Sequence, residues 1–186
     1  MYLRNQIENG TMSRPQAYIQ GFQQFYGRKF KVDEHVYVPN KETEFLLNAV
    51  LEEMTKSDVV LDVGTGCGNI AITLKLEKPE SCIFGSDISQ EALQVARHNA
   101  TALRADVGFY WSKYVDNPKL PTPTLIVADL PWGDHTNILH EGGLDELMHM
   151  PKIALFHPDG PLEAQRALLD SIKARGWSPI VFLETG

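Results

Sequence analysis

Apolar positions along the chain alternate between short runs and longer stretches with helical spacing. Residues 42–54 carry apolar side chains at intervals of three and four, and residues 89–103 repeat this spacing, so both predict helices that bury one face. Short runs of apolar and β-branched residues instead predict buried strands. The predicted strands are residues 59–61, 82–86, 107–111, 125–128 and 180–183, and two further helices are predicted at residues 69–77 and 162–174.

The alternation of strands and helices predicts a doubly wound α/β sheet of five parallel strands. Ahead of it, aromatic and β-branched positions in residues 18–38 are interrupted by Gly21 and Gly27, which predicts a turn-rich extended region. Residues 133–161 follow no simple pattern, and a stretch of this length indicates a functional loop. Since a doubly wound sheet binds its ligand where the strands end, we expect the chemistry in the turns that follow the strands.

Composition and charge narrow the class of protein. The chain has 186 residues, of which 43% are hydrophobic and 22% charged, so we expect one domain with a proper core. A net charge of −7 makes nucleic acid a less favoured partner than a protein or small molecule, because nucleic-acid affinity depends on a basic surface. No apolar run approaches the length of a membrane span, and no apolar stretch near Met1 could serve as a signal peptide. Two cysteines, Cys67 and Cys82, are too few for a disulfide scaffold, so we expect a cytoplasmic, reduced protein.

A glycine-rich turn follows the first strand of the predicted sheet. Asp62 leads into Gly64, Gly66 and Gly68, with Thr65 between the first two glycines. Glycines let the backbone approach a ligand closely and turn sharply into the next helix. The spacing differs from the G-x-G-x-x-G of dinucleotide sites, and the acidic residue suits a cationic group rather than a pyrophosphate. An ordinary strand-to-helix turn is the alternative.

Asp87 ends the second strand, nineteen residues after Gly68. An acidic side chain at about that distance can accept both ribose hydroxyls of a nucleoside. Its alternative role is to cap the following helix, which Ser89 could do equally well. The turn and Asp87 together indicate a cationic cofactor that carries a nucleoside, and S-adenosylmethionine fits both ends. Ile88 and Trp111 are further candidate contacts of this cofactor, although Trp111 could instead pack in the core.

The fourth strand leads into Asp129, Leu130, Pro131 and Trp132, which we name the acceptor motif. The Asp129 side chain and the Leu130 carbonyl could accept two N–H bonds from a planar amide or amine, and Trp132 could form a wall against the planar group. Asp129 is also a candidate contact of the cofactor. A structural turn with a buried tryptophan is the alternative.

Metal ligation is not expected. His135, His140 and Glu141 lack the spacing that would place metal ligands on one face of a helix.

These motifs resemble those of class I S-adenosylmethionine-dependent methyltransferases, and specifically the HemK-type N5-glutamine methyltransferases that modify peptide-chain release factors. The resemblance implies a Rossmann-like fold, S-adenosyl-L-methionine as cofactor, and methyl transfer to the side-chain amide of a glutamine in a protein substrate, a release factor. It extends over residues 14–186: residues 15–21 and 25–32 are similar to the family's hairpin, residues 38–44 to its I-P-R-P-E-T-E segment, and residues 129–132 lie where the family has N-P-P-Y.

Departures from the family pattern keep two other functions open. Asp129 replaces the asparagine of the family motif and Leu130 replaces its first proline. An aspartate at this place is common in methyltransferases of exocyclic amines, so methylation of adenine or guanine in RNA or DNA is the alternative function. The substituted positions also support a third hypothesis, a non-catalytic cofactor-binding subunit that needs a partner.

The resemblance also predicts how the chain is organised. Residues 1–40 are expected to form an N-terminal segment with the β-hairpin, and residues 41–186 the S-adenosylmethionine-binding domain, as one structural unit. The family's helical N-terminal domain and the usual C-terminal antiparallel strand pair are expected to be missing. The fifth strand would then be an exposed edge, where a second copy or another partner chain is expected to pair.

Overall fold

The computed structural model describes residues 14–131 and 144–185. A short helix and an antiparallel hairpin come first, and a mixed succession of strands and helices follows. The strands are β1 (Phe22–Phe25), β2 (Arg28–Lys31), β3 (Val59–Val63), β4 (Cys82–Asp87), β5 (Gly108–Trp111), β6 (Leu125–Asp129) and β7 (Ile180–Glu184). The helices are α1 (Gln16–Gln20), α2 (Thr43–Glu53), α3 (Asn69–Glu77), α4 (Gln90–Leu103), α5 (Leu144–Leu147), α6 (Lys152–Leu155) and α7 (Glu163–Ala174).

Strands β3 to β7 form one parallel sheet in the order β5-β4-β3-β6-β7. The prediction of a five-stranded, doubly wound parallel sheet preceded by a hairpin is confirmed. From the central strand β3 the chain proceeds outward to β4 and β5, then returns to the other side for β6 and β7. The strand order therefore reverses between β3 and β6, and a doubly wound sheet binds its ligand at the carboxyl ends of such a pair.

The apolar core has two layers because successive side chains of a strand point to opposite faces of the sheet. Val60 and Val127 belong to the layer that α3, α4 and the hairpin cover. Leu61 and Ile126 belong to the layer on the other face, which α7 covers. All four side chains are fully buried, so both faces of the central strands are closed to solvent.

The hairpin packs onto the sheet domain rather than standing apart from it. Phe25 and Phe30 are buried and meet edge to face at 6.1 Å between ring centroids. Asn99 of α4 accepts a hydrogen bond from the Lys31 amide at 2.8 Å and donates one to the Lys31 carbonyl at 3.0 Å. The boundary predicted after residue 40 stays a prediction.

The first described helix differs from the sequence-based expectation, which placed extended chain from residue 18. Residues Gln16–Gln20 form α1 instead, because the Pro15 carbonyl accepts hydrogen bonds from the Tyr18 and Ile19 amides. Gly21 ends the helix in a left-handed conformation, at φ +79°. Extended pairing begins only at β1.

Membrane helices, the cysteines, the edge strand β7 and the long stretch after β6 were also subjects of prediction. Among the described residues no helix is long and apolar enough to cross a membrane. Cys67 and Cys82 are both free thiols. Within the described part of the chain β7 pairs with β6 alone, and its pairing with a partner chain stays a prediction. Two short helices, α5 and α6, lie in the stretch that was expected to include a functional loop.

Candidate functional site

A cavity of about 430 Å³ opens at the carboxyl ends of β3, β4 and β6. The glycine turn, the end of β4 and the first three residues of the acceptor motif all contribute to its wall. The segment before α2 and residues from α6 onward form other parts of the wall. The predicted site residues that line it are Gly64, Thr65, Gly66, Asp87, Ile88, Asp129, Leu130 and Pro131.

The glycine turn is held against the end of β4 by its backbone. The amides of Gly64 and Thr65 both donate to the Ser86 carbonyl, at 2.8 and 2.9 Å. Gly64 and Gly66 have φ values of +77° and +53°, which favour glycine. A Cβ on Gly64 would lie 2.9 Å from Leu130 Cδ2, so this turn and the acceptor motif touch without room for a side chain between them.

Gly68 does not line the cavity in the described structure, and its predicted contact with the cofactor stays a prediction. Its φ is +84°, and a Cβ there would lie 2.8 Å from Ile72 Cδ1 and 3.2 Å from Ala96 Cβ. The glycine therefore lets α3 begin in close contact with α4.

Asp62 lies beneath the glycine turn and does not line the cavity. Its side chain is fully buried, and Oδ2 accepts hydrogen bonds from Thr65 Oγ1 at 2.6 Å and from the Ala71 amide at 3.2 Å. Oδ1 is buried and has no hydrogen-bond partner among the described residues. Burial raises the pKa of Asp62 to about 7, against the opposing effect of these hydrogen bonds. Asp62 thus fixes the turn and the start of α3, and its direct contact with a cofactor stays a prediction.

Asp87 joins the glycine turn to the start of α4. Its Oδ2 accepts a hydrogen bond from the Gly66 amide at 2.9 Å, and Oδ1 accepts one from the Ser89 amide at 2.8 Å. Ser89 itself caps α4 by accepting from the Ala92 amide at 3.1 Å. Each carboxylate oxygen has further lone pairs, so Asp87 can still accept hydrogen bonds from the hydroxyl groups of a ligand in the cavity. Burial raises the pKa of Asp87.

Trp111 lies outside the cavity wall. Half of its side chain is exposed, and its Nε1 donates a hydrogen bond to the Ile88 carbonyl at 2.7 Å. Ile88 lines the cavity, so Trp111 supports a wall residue in this structure. Stacking of Trp111 on a nucleoside base stays a prediction.

The two residues that carry the predicted acceptors, Asp129 and Leu130, both line the cavity. Asp129 Oδ2 accepts a hydrogen bond from Thr43 Oγ1 at 3.0 Å. The Leu130 carbonyl accepts one from Gln165 Nε2 of α7 at 3.3 Å, which leaves a second lone pair on that oxygen. Burial raises the pKa of Asp129. Trp132 lies outside the described residues, as do His135, His140 and Glu141.

Sequence reasoning did not single out Thr43, Asn40 or Glu184 as site residues. Thr43 begins α2, and its amide donates to Asn40 Oδ1 at 2.9 Å. Glu184 ends β7 directly beside Asp129 in the strand register. Burial and the neighbouring Asp129 raise the pKa of Glu184 to about 7. The E-T-E segment that carries the family resemblance was the one signal that pointed at Thr43.

The residues present fit the predicted cofactor. Gly64 and Gly66 place no side chain at the cavity wall, and the strand ends bring Asp62, Asp87 and Asp129 to one edge of the sheet. Carboxylates suit the hydroxyls of a ribose and the positive charge of a sulfonium or amino group. The backbone of Gly64 and Gly66 and the side chains of Asp87 and Ile88 would hold it, and the cofactor would supply an activated methyl group.

Comparison with known proteins shows the family to which the chain belongs. The family model "Methyltransferase small domain" matches residues 36–140. A release factor glutamine methyltransferase of Neisseria gonorrhoeae is 39% identical over 143 residues, which cover 76% of this chain and 52% of that protein. One from Koribacter versatilis is 51% identical over 98 residues, which cover 51% of this chain and 35% of that protein. The chain thus spans about half the length of the curated relatives it matches, or less.

Among solved structures, a precorrin-6y C5,15-methyltransferase from Geobacter metallireducens superposes with a TM-score of 0.50 at 14% identity, over 80% of this chain and 78% of that chain. This likeness concerns the fold alone. Because the family model matches more than half of the sequence, the chain belongs to the methyltransferase small domain family.

Proposed function

We propose that this domain transfers a methyl group from S-adenosylmethionine to the side-chain amide nitrogen of a glutamine in a protein, with a release factor as substrate. The observation that carries the proposal is the position of the acceptor motif: Asp129 and Leu130 line the same cavity as the glycine turn and Asp87. The relatives named release factor glutamine methyltransferases support the same substrate.

The chemical difficulty of this reaction is that an amide nitrogen is a poor nucleophile. Two acceptors on one side of the amide can bind its N–H groups, so that the nitrogen lone pair is held toward the methyl donor. The Asp129 carboxyl and the free lone pair of the Leu130 carbonyl are such acceptors, and both occupy fixed positions at the end of β6. Orientation and electrostatic stabilisation of this kind can supply several kcal/mol of the barrier reduction.

A protein partner also suits the electrostatics of the chain. The net charge of −7 disfavours a polyanionic substrate, since phosphate binding gains its affinity from basic side chains. We also propose a cytoplasmic setting, because release factors act where translation takes place.

One observation favours a second candidate function, methylation of an exocyclic amine in RNA or DNA. Asp129 stands where the glutamine methyltransferases have asparagine, and a carboxylate accepts hydrogen bonds from an amino group without needing to donate one. A base amine offers two N–H groups and no neighbouring carbonyl on the same carbon, so it would be satisfied by acceptors alone.

A methyl-transfer assay with separate substrate pools distinguishes these functions. The protein is incubated with methyl-labelled S-adenosylmethionine and either a purified release factor or total RNA, and labelled sites are located by mass spectrometry. Label on a release-factor glutamine supports the proposal, and label in RNA alone overturns it. Cofactor binding without label in either pool would support a non-catalytic subunit. An Asp129→Ala variant is the control for label that does not arise at this site.

A further inference from the structure

The Leu130 carbonyl is one of the two acceptors of the proposed reaction, and most of its freedom is removed by its neighbours in the chain and in space. The Leu130 side chain is buried, and its Cδ2 would lie 2.9 Å from a Cβ on Gly64. Pro131 restricts the Leu130 backbone to the extended region and leaves its ψ angle a range of about 40°. The carbonyl oxygen turns with ψ, so a further contact is needed to give it a single direction.

Gln165 of α7 supplies that contact. Its Nε2 donates a hydrogen bond to the Leu130 carbonyl at 3.3 Å, and its side chain is buried, with 4% exposed. The amide is not turned the other way, because Oε1 would then face the carbonyl oxygen as a second acceptor. The Leu130 oxygen has two lone pairs, of which this bond occupies one and leaves the other.

Packing alone does not account for a glutamine at this position. Gln165 Oε1 is buried and has no hydrogen-bond partner among the described residues. A buried polar atom without a partner costs free energy, which a methionine of similar size would avoid. The other buried residues of α7 are apolar: Ala164, Leu168 and Ile172. The bond to Leu130 is therefore what the amide group contributes.

The helix that carries Gln165 is itself held in place. Leu168 and Ile172 are buried in the same apolar cluster as Leu130, so packing fixes α7 relative to the end of β6. Ala164 lines the cavity, whereas Gln165 does not. Gln165 can thus act on a bound substrate only through the Leu130 carbonyl.

We propose that Gln165 is a positioning residue: it sets the direction of the Leu130 carbonyl and thereby the direction in which one N–H of the substrate is bound. With one lone pair held by α7, the oxygen offers the substrate a single remaining direction. The substrate nitrogen is then aligned with the methyl donor. The part about substrate rests on the proposed glutamine methylation, whereas the fixed direction of the carbonyl does not.

The NMR signal of the Leu130 carbonyl tests the hydrogen bond without any assay of activity. The sequence has two Leu-Pro pairs, Leu130-Pro131 and Leu120-Pro121. Labelling of leucine carbonyls with ¹³C and of proline nitrogens with ¹⁵N therefore gives two correlated signals, and Leu120→Ile identifies them. Because an accepted hydrogen bond deshields a carbonyl carbon, Gln165→Met should move the Leu130 signal upfield and leave the Leu120 signal in place.

Leu168→Met is the matched control, because it changes a fully buried side chain of α7 at nearly constant volume and leaves the hydrogen bond intact. It should move the Leu130 signal much less than Gln165→Met does. An unmoved Leu130 signal in Gln165→Met, or equal movements in the two variants, would overturn the proposal.

A measurement on the wild-type protein gives an answer even where a variant does not fold. The Nε2 hydrogens of Gln165 are buried and bonded, so they should exchange with solvent far more slowly than those of Gln94, which is exposed on α4. Equal exchange rates at the two side chains would contradict the hydrogen bond.

Steady-state kinetics extend the test to the substrate. Gln165→Met should lower kcat for glutamine methylation about ten- to hundredfold with a smaller change in KM, because a misdirected acceptor costs alignment rather than binding. Binding of S-adenosylhomocysteine, measured by calorimetry, should be unchanged. A kcat as high as that of Leu168→Met would show that Gln165 has no part in the reaction.

Gln165→Glu separates hydrogen-bond donation from side-chain shape. A protonated carboxyl can donate to the Leu130 carbonyl, whereas an ionised one cannot. The kcat of this variant, relative to wild type at the same pH, should therefore fall as pH rises, while that of Gln165→Met stays low throughout. Equal kcat values for the two variants at every pH would refute donation by the amide. Absence of all glutamine methylation by the wild-type protein would overturn the proposed function and leave the NMR result standing.

Discussion

Asn99 connects three parts of the chain, and its replacement by alanine tests how the hairpin and the glycine turn are held in place. Its side chain is buried in α4. It accepts from the Lys31 amide at 2.8 Å, donates to the Lys31 carbonyl at 3.0 Å and donates to the Cys67 carbonyl at 2.8 Å. The first two bonds bind β2, and the third binds the glycine turn. Asn99→Ala removes all three.

The expected loss of stability follows from the number and burial of these bonds. A hydrogen bond of this kind contributes about 1 kcal/mol net, and more where its loss leaves a buried partner unsatisfied. Three bonds give about 3 kcal/mol, from which the better helix propensity of alanine recovers about 0.5 kcal/mol. The free energy of unfolding should therefore fall by about 2.5 kcal/mol, which lowers Tm by about 5–10 °C for a domain of this size.

Urea unfolding followed by circular dichroism measures this change, and Asn48→Ala is the matched control. Asn48 lies in α2, is exposed, and accepts a single hydrogen bond from the Tyr26 hydroxyl at 2.9 Å. Its replacement carries the same helix-propensity gain and should change stability by less than about 0.5 kcal/mol. Equal losses in the two variants would refute the reasoning. The Asn99 variant should also bind S-adenosylhomocysteine more weakly, because Cys67 belongs to the cofactor turn.

Three further predictions concern the site and the pH dependence of folding. Asp87→Ala should weaken S-adenosylhomocysteine binding, measured by calorimetry, at least about tenfold, since hydrogen bonds to a charged acceptor contribute about 1.5–3 kcal/mol. The control is Asp106→Ala, which should leave binding unchanged because Asp106 is exposed and lies outside the cavity wall. Gly68→Ala should lower Tm further than Gly21→Ala, because both have positive φ but only the first meets neighbouring side chains; equal losses would contradict this. Burial raises the pKa of Asp62 in the folded chain from 3.8 to about 7. Between these pH values the unfolded chain has released a proton that the folded chain keeps, so the free energy of unfolding falls as pH rises. In urea unfolding at pH 5 and pH 7.5, Asp62→Asn should remove part of that fall, and an unchanged pH dependence would rule out a protonated Asp62.

Elements of the fold could be predicted because the responsible signals are local. The apolar runs of β3 and β6 and the helical spacing in α4 each lie within a few residues of one another. The start of α1 was missed because aromatic residues around Tyr18 favour strands on average, while the Pro15 carbonyl and Gly21 favour one turn of helix there. Local hydrogen bonds overrode the average preference.

Part of the candidate site could also be predicted from local signals in the sequence. The sequence alone places Asp87 and Asp129 at the ends of strands, because each directly follows a short apolar run, and parallel strands bring those ends to one edge. It also places the glycine turn beside them, since the turn joins a strand to a helix. These positions follow from chain order and from the geometry of a doubly wound sheet.

Only the tertiary structure decided which way the side chains point and what they meet. Asp62 lies beneath the turn and Trp111 supports Ile88 from outside the cavity wall, and their predicted contacts with the cofactor stay predictions. Glu184 reaches Asp129 through the register of two strands that are far apart in sequence, and Asn99 reaches Lys31 through the packing of α4 on the hairpin. Register and packing depend on how all the elements fit together, and no local pattern encodes them.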